Sequence, residues 1–421
     1  MTEYINIKDN MLNCFKGNTP KYVVKSNTLV LNQKCIRNNV IDFSLAQYTE
    51  DKCTNENKIL RLGDLIINST GQGTAGRCAY VSELPNTKVT VDSHMLIVRF
   101  NNKDLSKFFS YFLYKNEELM LTLLTGSSGQ GEFDKERAFN IKFPYCNENK
   151  EIFCKIFDAI ADKIQLNNKI NAELENMAKT LYDYWFVQFD FPDENKRPYK
   201  SANGKMVYNE VLKREIPDGW EVKPLKYLIK HINTGLNPRD NFILGNGNIK
   251  YITVKNITEN NLLDFKNCDT IDEIARNKVH NRSDIQVGDI LFASITPLGR
   301  CYLIQESPIG WDINESVFSI RPNLIEISSE YLLMCLTSKY FTKKASNSST
   351  GSIFTGIRIK TLENMSILIP PQNILKTFTK KLNQLLKRKN ICFKENIDLE
   401  KVRDFLLPLL MNGQITVNPE C

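Results

Sequence analysis

The chain contains a long stretch, residues 156–191, in which apolar residues recur at helical spacing. In its second half they follow steps of four and three, at Ile170, Leu174, Met177, Leu181 and Tyr184. This heptad rhythm predicts a helix with a narrow apolar seam on one side. No proline or glycine lies between residues 152 and 191, so the helix can span about 50 Å. A seam of that length needs a partner, because a lone amphipathic helix is only marginally stable in water.

A second stretch, residues 374–410, has the same rhythm. Its apolar seam positions are Phe378, Leu382, Leu385, Cys392, Leu399, Leu406 and Leu410. Lys389, Asn396 and Arg403 fall on this seam and interrupt it. The pattern alone is also compatible with two unrelated core helices. Because the two stretches share their spacing, we predict that residues 156–186 and 374–406 pack as an antiparallel helical pair.

The chain repeats itself at an offset of about 225 positions. The string Gly63-Asp64-Leu65-Ile66 matches Gly288-Asp289-Ile290-Leu291, and Gly76-Arg77-Cys78 matches Gly299-Arg300-Cys301. An apolar strand-like run ends near Arg99 in one copy and near Arg321 in the other, and prolines precede both long helices. Several matches in one order predict an internal duplication of a globular segment followed by a long helix.

The expected fold class is therefore α+β, with two β-rich mixed domains separated by two long, antiparallel, coiled-coil-like helices in a pseudo-two-fold repeat. Short runs such as ILRLGDLIINST and DILFASITP predict the strands. The predicted segments are a first globular domain (1–150), a first long helix (151–189), a polar linker (190–219), a second globular domain (220–371), a second long helix (372–412) and a tail (413–421).

Composition indicates a globular protein without a membrane span. The chain has 421 residues, 42% of them hydrophobic, and no apolar run reaches the roughly 18 residues that a span needs. The polar start MTEYINIKDN lacks the apolar core of a signal peptide, so we expect a cytoplasmic protein. The eleven cysteines are scattered and form no CxxC pair, which favours reduced thiols. The net charge of +7 is compatible with nucleic acid but does not establish it.

Two loops rich in small residues stand at the same stage of each copy, TGSSGQGEFDKERA from Thr125 and SNSSTGSIFTGIR from Ser346. Neither is a P-loop, because the Lys-Ser/Thr ending is missing. Either they are plain surface loops, or they face a nucleic-acid backbone through Ser127, Ser128, Gln130, Ser348 and Thr350. The chain also lacks a GxGxxG motif, a methyltransferase Asn/Asp-Pro-Pro-Tyr tetrad and metal-ligand histidine spacing. We therefore expect a binding protein and not an enzyme.

Three strings resemble a known family. LENMAKTLYDYWFVQFDF, followed by a polar linker and IPDGWEVKPL, resembles the central region of the DNA-specificity (S) subunits of type I restriction-modification systems. DFLLPLLMNGQITV resembles the end of their second conserved region. The resemblance covers the whole order of segments, and it implies that the two globular domains are target-recognition domains.

The resemblance also implies a role. Such subunits bind double-stranded DNA, hold two methyltransferase (M) subunits and are joined by restriction (R) subunits. Each recognition domain reads one half of a bipartite, asymmetric site, and the helices set the gap between the halves. S-adenosylmethionine would belong to the M subunits and ATP and magnesium to the R subunits, so this chain itself would hold no cofactor or metal.

Arginine reads guanine, and asparagine or glutamine reads adenine, through paired hydrogen bonds. Polar residues near loops are therefore candidates for DNA contact: Gln33, Arg37, Gln72, Arg77 and Gln130 in the first copy, and Asn237, Arg239, Asn256, Arg300 and Asn314 in the second. Since Arg77 and Arg300 recur in both copies, a shared structural or phosphate-binding role suits them better than base reading. Tyr184, Trp185 and Phe186 are candidate exposed contacts for the M subunit, or else they seal the helix against its own domains.

Other classes of function remain open on the sequence alone. There are three alternatives. The first is a coiled-coil adaptor that binds protein without DNA, and the second is the specificity part of another methyltransferase or nuclease assembly. The third is a nuclease or methyltransferase that acts alone. The adaptor explains the helices but gives no reason for two strand-rich domains with matching polar loops.

Overall fold

The structure is a computed structural model and describes residues 2–51, 55–71, 73–125, 132–146, 150–348, 356–411 and 414–415. The chain divides into two compact units. The first consists of residues 1–167 and 394–421, and the second of residues 168–393. Each long helix therefore contributes one part to each unit. Among the described residues, no helix is both long and apolar enough to cross a membrane.

The first unit is built mainly from short strands. Its described strands are β1 (Thr2–Ile5), β2 (Met11–Lys16), β3 (Tyr22–Val23), β4 (Thr28–Leu31), β5 (Ile36–Arg37), β6 (Val40–Ile41), β7 (Gln47–Thr49), β8 (Leu65–Asn68), β9 (Cys78–Tyr80), β10 (Lys88–Val91), β11 (Met95–Phe100), β12 (Leu124–Thr125), β13 (Glu132–Phe133) and β14 (Phe143–Cys146). Its short helices are α1 (Ile7–Asn10), α2 (Lys103–Lys115), α3 (Glu117–Leu121) and α4 (Lys135–Phe139).

The second unit has a similar content. Its described strands are β15 (Met206–Asn209), β16 (Arg214–Pro217), β17 (Glu221–Pro224), β18 (Ile229–Thr234), β19 (Ile249–Ile252), β20 (Asp269–Ile271), β21 (Ile290–Ala293), β22 (Cys301–Leu303), β23 (Trp311–Ile313), β24 (Val317–Pro322) and β25 (Ser366–Ile369). Its short helices are α6 (Glu273–Ser283), α7 (Ser329–Thr337), α8 (Lys339–Asn347) and α9 (Ile359–Glu363).

The duplication read from the sequence is visible in the strand order. The first unit contains an antiparallel sheet β2-β11-β8-β9, and the second contains β18-β24-β21-β22. In both units a parallel pair also forms, β4 with β10 and β19 with β23. The entry strand β1 pairs with β14 as β17 pairs with β25, so both units begin and close in the same way.

The matching Gly-Asp and Arg positions of the two copies form equivalent ion pairs. Arg99 donates to both carboxylate oxygens of Asp64, each at 2.8 Å, and both side chains are buried. Arg321 donates to both oxygens of Asp289 at 2.8 and 2.9 Å. A paired buried guanidinium and carboxylate satisfy each other's hydrogen bonds, so these repeated residues hold the sheet together in each unit.

The two long helices are α5 (Lys150–Tyr182) and α10 (Gln372–Met411). A π-helical turn, Asp183–Val187, follows α5 directly. At 1.5 Å per residue, 33 and 40 residues correspond to about 50 and 60 Å. Within α10 the first proline is Pro408, which lies near the end of the helix.

Within each unit, the parts of the two helices run antiparallel. In the first unit Phe157 shares a core with Leu407, whereas the later Asn167 donates to the earlier Asn396 at 2.9 Å. In the second unit Glu175 pairs with Lys389 at 3.0 Å, and the ring of Trp185 lies 5.7 Å from that of Phe378. In both units, higher numbers on α5 meet lower numbers on α10.

The expectation of three exposed aromatics at the end of α5 is wrong for two of them. Trp185 is 4% exposed and Phe186 is 1% exposed, because both enter the core of the second unit beside Phe378. Tyr184 is 40% exposed and remains available to a partner. The π-helical turn contains all three residues, and side chains in such a turn depart from the heptad spacing on which sequence reasoning relies.

The predicted linker, residues 190–219, carries folded structure. It contains the antiparallel hairpin of β15 and β16. Upstream of the hairpin, Phe191 stacks on Tyr199 with ring centroids 4.6 Å apart and packs on Trp220 at 5.0 Å. The segment therefore belongs to the core of the second unit.

Candidate nucleic-acid interface

Gln33 lies in a polar network of the first unit. It follows β4, and its side-chain amide donates to the carbonyl and, at 2.9 Å, to the hydroxyl of Thr70. The Thr70 hydroxyl also lies 2.7 Å from Nδ1 of His94. The buried Asn68 side chain donates to the Gln33 carbonyl at 3.2 Å. The structure thus joins three loops at the ends of β4, β8 and β10, and places amide, hydroxyl and imidazole groups together.

Arg37 is exposed on a small hairpin. β5 and β6 pair across a two-residue turn, Asn38-Asn39, with φ of 51° and 62°. Asparagine tolerates this left-handed backbone better than most residues do, and two such residues define the tight turn that suits a hairpin. The Asn39 side chain accepts a hydrogen bond from Ser110, which fixes the turn on α2 and leaves Arg37 facing solvent.

Arg77 and Arg300 both engage glutamates. Arg77 Nε donates to Glu117 at 3.0 Å, and Arg300 donates to Glu259 at 2.8 Å and to the carbonyl of Ile257 at 3.2 Å. In each unit the arginine immediately precedes the equivalent strand, β9 or β22, and ties it to a neighbouring segment. These contacts favour the shared structural role over base reading.

Asn256 is unsuited to reading a base. It is buried, and its side-chain oxygen accepts from the backbone and hydroxyl of Thr253, each at 2.9 Å. Its amide donates to the carbonyls of Asp264 and Asn267. Every hydrogen-bonding group of the side chain is used inside the loop, so the base-reading interpretation of Asn256 is wrong.

Asn314 also has a local role. Its side-chain oxygen accepts from the backbone of Ser316 at 3.1 Å, and its own backbone N–H donates to Ile252 at 2.8 Å. The residue shapes the turn between β23 and β24. It is only partly buried, so its amide remains a candidate for DNA contact.

Asn237 and Arg239 share one loop, residues 235–248, after β18. Gly235 opens it, and a Cβ there would lie 1.7 Å from the carbonyl oxygen of Ile313, so only glycine fits. Gly17 stands at the equivalent place of the first unit, where a Cβ would meet the carbonyl of Asp92 at 2.0 Å. Arg239 is exposed, and the Asn237 carbonyl accepts from Asn241 at 3.0 Å.

Five of the candidate DNA contacts fall outside the part of the chain that the structure describes. They are Gln72, Ser127, Ser128, Gln130 and Thr350. Ser348 is exposed just after α8, and its backbone N–H donates to Lys344 and Ala345.

Sequence reasoning missed α6, which lies beside the loop of Asn237 and Arg239. Its buried residues Ala275 and Val279 pack in a small core with Tyr251, Ile249 and Ile271. The hydrophobic pattern of EIARNKVHNRS is weak, since only Ile274, Ala275 and Val279 are apolar. The recoverable signals were Asp272, which caps the helix by accepting from the Ala275 backbone at 2.8 Å, and the basic residues in its last turn.

A buried carboxylate anchors the end of α6. The carboxylate of Asp312, on β23, accepts hydrogen bonds from the Ser283 hydroxyl at 2.6 Å and from the backbone N–H of Ile313 at 2.8 Å. It also lies 3.0 Å from Nδ1 of His280. Burial raises the pKa of Asp312 above its usual range, although these hydrogen bonds oppose the shift. The contacts of Asp312 with Ser283 and His280 fix the orientation of α6 on the sheet.

Comparison with known proteins identifies the family. The family model described as "Type I restriction modification DNA specificity domain" matches residues 3–176 and 217–401. The chain is 27% identical over 315 residues to the specificity subunit of the type I restriction enzyme MjaIX of Methanocaldococcus jannaschii, covering 73% of this chain and 68% of the relative. It is 24% identical over 413 residues to the HindI specificity subunit of Haemophilus influenzae, covering 85% and 88%.

A solved structure shares the fold. The crystal structure of a type I restriction-modification S subunit from M. genitalium aligns with a TM-score of 0.54 at 13% identity, covering 97% of this chain and 96% of that one. Because the family model matches most of the sequence in two copies, this chain belongs to the family of type I restriction-modification specificity subunits.

Proposed function

We propose that this chain is the sequence-reading subunit of a type I restriction-modification complex, and that each unit reads one half of a bipartite, asymmetric DNA site. The observation that carries the proposal is the repeated strand order of the two units, β2-β11-β8-β9 and β18-β24-β21-β22, combined with different loops. Equivalent frameworks can approach DNA in equivalent ways, while different loop residues select different bases.

The loop chemistry supports direct reading in the major groove. The first unit presents Arg37 and the network of Gln33, Thr70 and His94. The second presents Arg239 and Asn237 on the loop that follows β18. These side chains carry the guanidinium and amide groups that pair with guanine and adenine edges, and they differ between the units, so the two halves of the site should differ.

The long helices serve as the spacer in this proposal. α5 and α10 form one antiparallel, coiled-coil-like pair, and the length of that pair sets the gap between the two specified blocks. Helices of about 50 Å allow block centres on the order of one duplex turn, about 34 Å, apart. The antiparallel contacts found within each unit, Asn167 with Asn396 and Glu175 with Lys389, support this arrangement.

The proposed partners are two M subunits, R subunits and double-stranded DNA, in the cytoplasm. Methylation and cleavage take place on the partners, with S-adenosylmethionine on M and with ATP and magnesium on R. This chain contributes binding and positioning and no catalytic residue. The exposed Tyr184 remains a candidate M contact. The strand-rich units with polar loops favour this function over a coiled-coil adaptor.

The proposal is tested by shortening both long helices by one heptad in the complex with M and mapping the methylated motif. Seven residues correspond to about 10 Å of helix, or about three base pairs of DNA. The gap should shrink by that amount while the specified bases stay the same. A deletion confined to the hairpin turn 210–213, between β15 and β16, is the control and should leave the gap unchanged. A gap indifferent to helix length, or a single continuous block, overturns the proposal.

A further inference from the structure

The exposed side of α6 has an unusual chemical composition. Glu273, Ile274, Asn277, Lys278, Asn281 and Arg282 are exposed, at the spacing of one helical face. Ile274 is 70% exposed, although it is a large apolar residue. The opposite face, with Ala275, Val279 and Ser283, is buried. Beside the carboxylate of Glu273 in the first turn, the solvent side carries two amides, two cations and one aliphatic group, and so offers hydrogen bonds, positive charge and a methyl contact together.

The two cations of this face are bound by neutral groups. Lys278 Nζ donates to the backbone carbonyl of Asn241 at 3.2 Å, and Arg282 donates to the hydroxyl of Thr234 at 3.1 Å. Of the three carboxylates at the ends of the helix, Asp272 caps the N-terminus, Asp284 pairs with Arg321 at 2.8 Å, and Glu273 is exposed in the first turn. Lys278 and Arg282 lie beyond the first turn and bond only neutral groups, so their positive charge is available to an anionic partner.

The helix is held rigidly from behind. Asp312 on β23 accepts a hydrogen bond from the hydroxyl of Ser283 at 2.6 Å, and Asn246 donates to Asp272 at 3.1 Å. The second contact links the start of α6 to the loop that carries Asn237 and Arg239. Side chains on a helix anchored in this way lose little freedom on binding, which suits them to specific recognition.

The first unit has no equivalent of α6 in the part of it that the structure describes. Between β7 and β8, residues 50–51 and 55–64 contain a 3-10 turn, Glu56–Lys58, and no α-helix. Between β20 and β21, the same place in the second unit, stands α6. The feature thus distinguishes the two otherwise similar frameworks.

We propose that α6 enters the major groove of duplex DNA and reads bases in the half-site of the second unit. Asn277 and Asn281 stand one turn apart and read adenine edges, Ile274 contacts a thymine methyl group, and Lys278 and Arg282 bind flanking phosphates. The major groove, about 12 Å wide, admits a helix of this kind. The inference rests on the proposed function, since it assigns a reading element of one half of that site in addition to the loop of Asn237 and Arg239.

The test uses the complex with M, single-site variants of α6, motif mapping and DNA-binding measurements at several salt concentrations. Asn277→Ala and Asn281→Ala should each relax one base position in a single block of the motif, with roughly 5- to 100-fold loss of discrimination there. Lys278→Gln and Arg282→Gln should weaken binding to all sequences and each reduce the salt slope by about one. Lys226→Gln, an exposed lysine elsewhere in the second unit, should leave the motif unchanged.

The outcomes separate the inference from the proposed function. A wild-type complex that marks no two-block motif contradicts the proposed function. A wild-type two-block motif that all four α6 variants preserve, with unchanged salt slopes, overturns only the assignment of α6. Loss of M from the variant complexes overturns it as well, because the face would then bind protein. Because the substituted side chains are exposed, thermal midpoints of the variants should match that of the wild type.

Discussion

Lys389 donates a hydrogen bond of 3.0 Å to the carboxylate of Glu175, and both side chains are nearly buried, at 9% and 13% exposure. The same ammonium donates to the backbone carbonyl of Asn260, which belongs to the strand-rich part of the second unit. Burial lowers the pKa of Lys389, although Glu175 opposes the shift. A lysine on the helical seam thus connects both long helices to their domain.

Removing the carboxylate of this pair should destabilise the second unit. In Glu175→Gln the ammonium of Lys389 stays buried without a counter-charge, and the free energy of unfolding should fall by about 3 kcal/mol. The control is Lys205→Gln, which breaks the exposed pair of Lys205 with Asp218 and should cost far less, because water screens an exposed pair. Denaturant titration of both variants provides the comparison. If both variants lose the same free energy of unfolding, burial does not strengthen the contribution of the Glu175 pair to stability.

The effect of Glu175→Gln should depend on pH. Burial alone would raise the pKa of Glu175, but hydrogen bonds and charge from Lys179 and Lys389 outweigh it and lower the pKa below 4.5. A lowered pKa in the folded state means that the ionised carboxylate contributes stability above pH 4.5, and that this contribution is lost as the pH falls through the folded-state value. The difference in unfolding free energy between wild type and Glu175→Gln should therefore narrow below pH 4.5. A difference that is constant from pH 7 to pH 3 contradicts this.

Two neighbouring aromatic residues in the turn after α5 are expected to have different roles, one in stability and the other in binding. Trp185→Ala should lower the free energy of unfolding by about 3–5 kcal/mol, because the ring is buried beside Phe378. Tyr184→Ala should change it by less than about 1 kcal/mol, since surface substitutions have small effects. If Tyr184 contacts M, its variant should elute with less M on size-exclusion chromatography. Full retention of M by Tyr184→Ala would remove this residue from the proposed interface.

Long patterns in the sequence were informative, and single residues were not. The heptad rhythm indicated the two long helices because it extends over many turns, and the repeat indicated two similar domains because several matches share one order. The partners of the seam residues could not be read, since they come from distant segments. Arg403, for example, donates to the hydroxyl of Tyr114 at 2.9 Å and lies 4.9 Å from its ring centre.

Candidate DNA contacts were harder still to predict. Residue type alone does not distinguish an exposed amide from one that closes its own loop, as Asn256 does. The guanidinium groups of Arg77 and Arg300 could pair with guanine, but each forms an ion pair with a glutamate of its own unit. The sequence did not predict α6 because an apolar periodicity reveals only the buried side of a helix. The residues of α6 that suggest a function lie on its solvent side.

The central claim is that each unit reads its own half of the DNA site. The most direct measurement maps the methylated motif in a host that carries M with either this chain or a variant whose residues 220–371 are replaced by the matching domain of a relative with a different motif. The account predicts that one specified block changes while the other block and the gap stay the same. A change in both blocks, or no change in either, would contradict it.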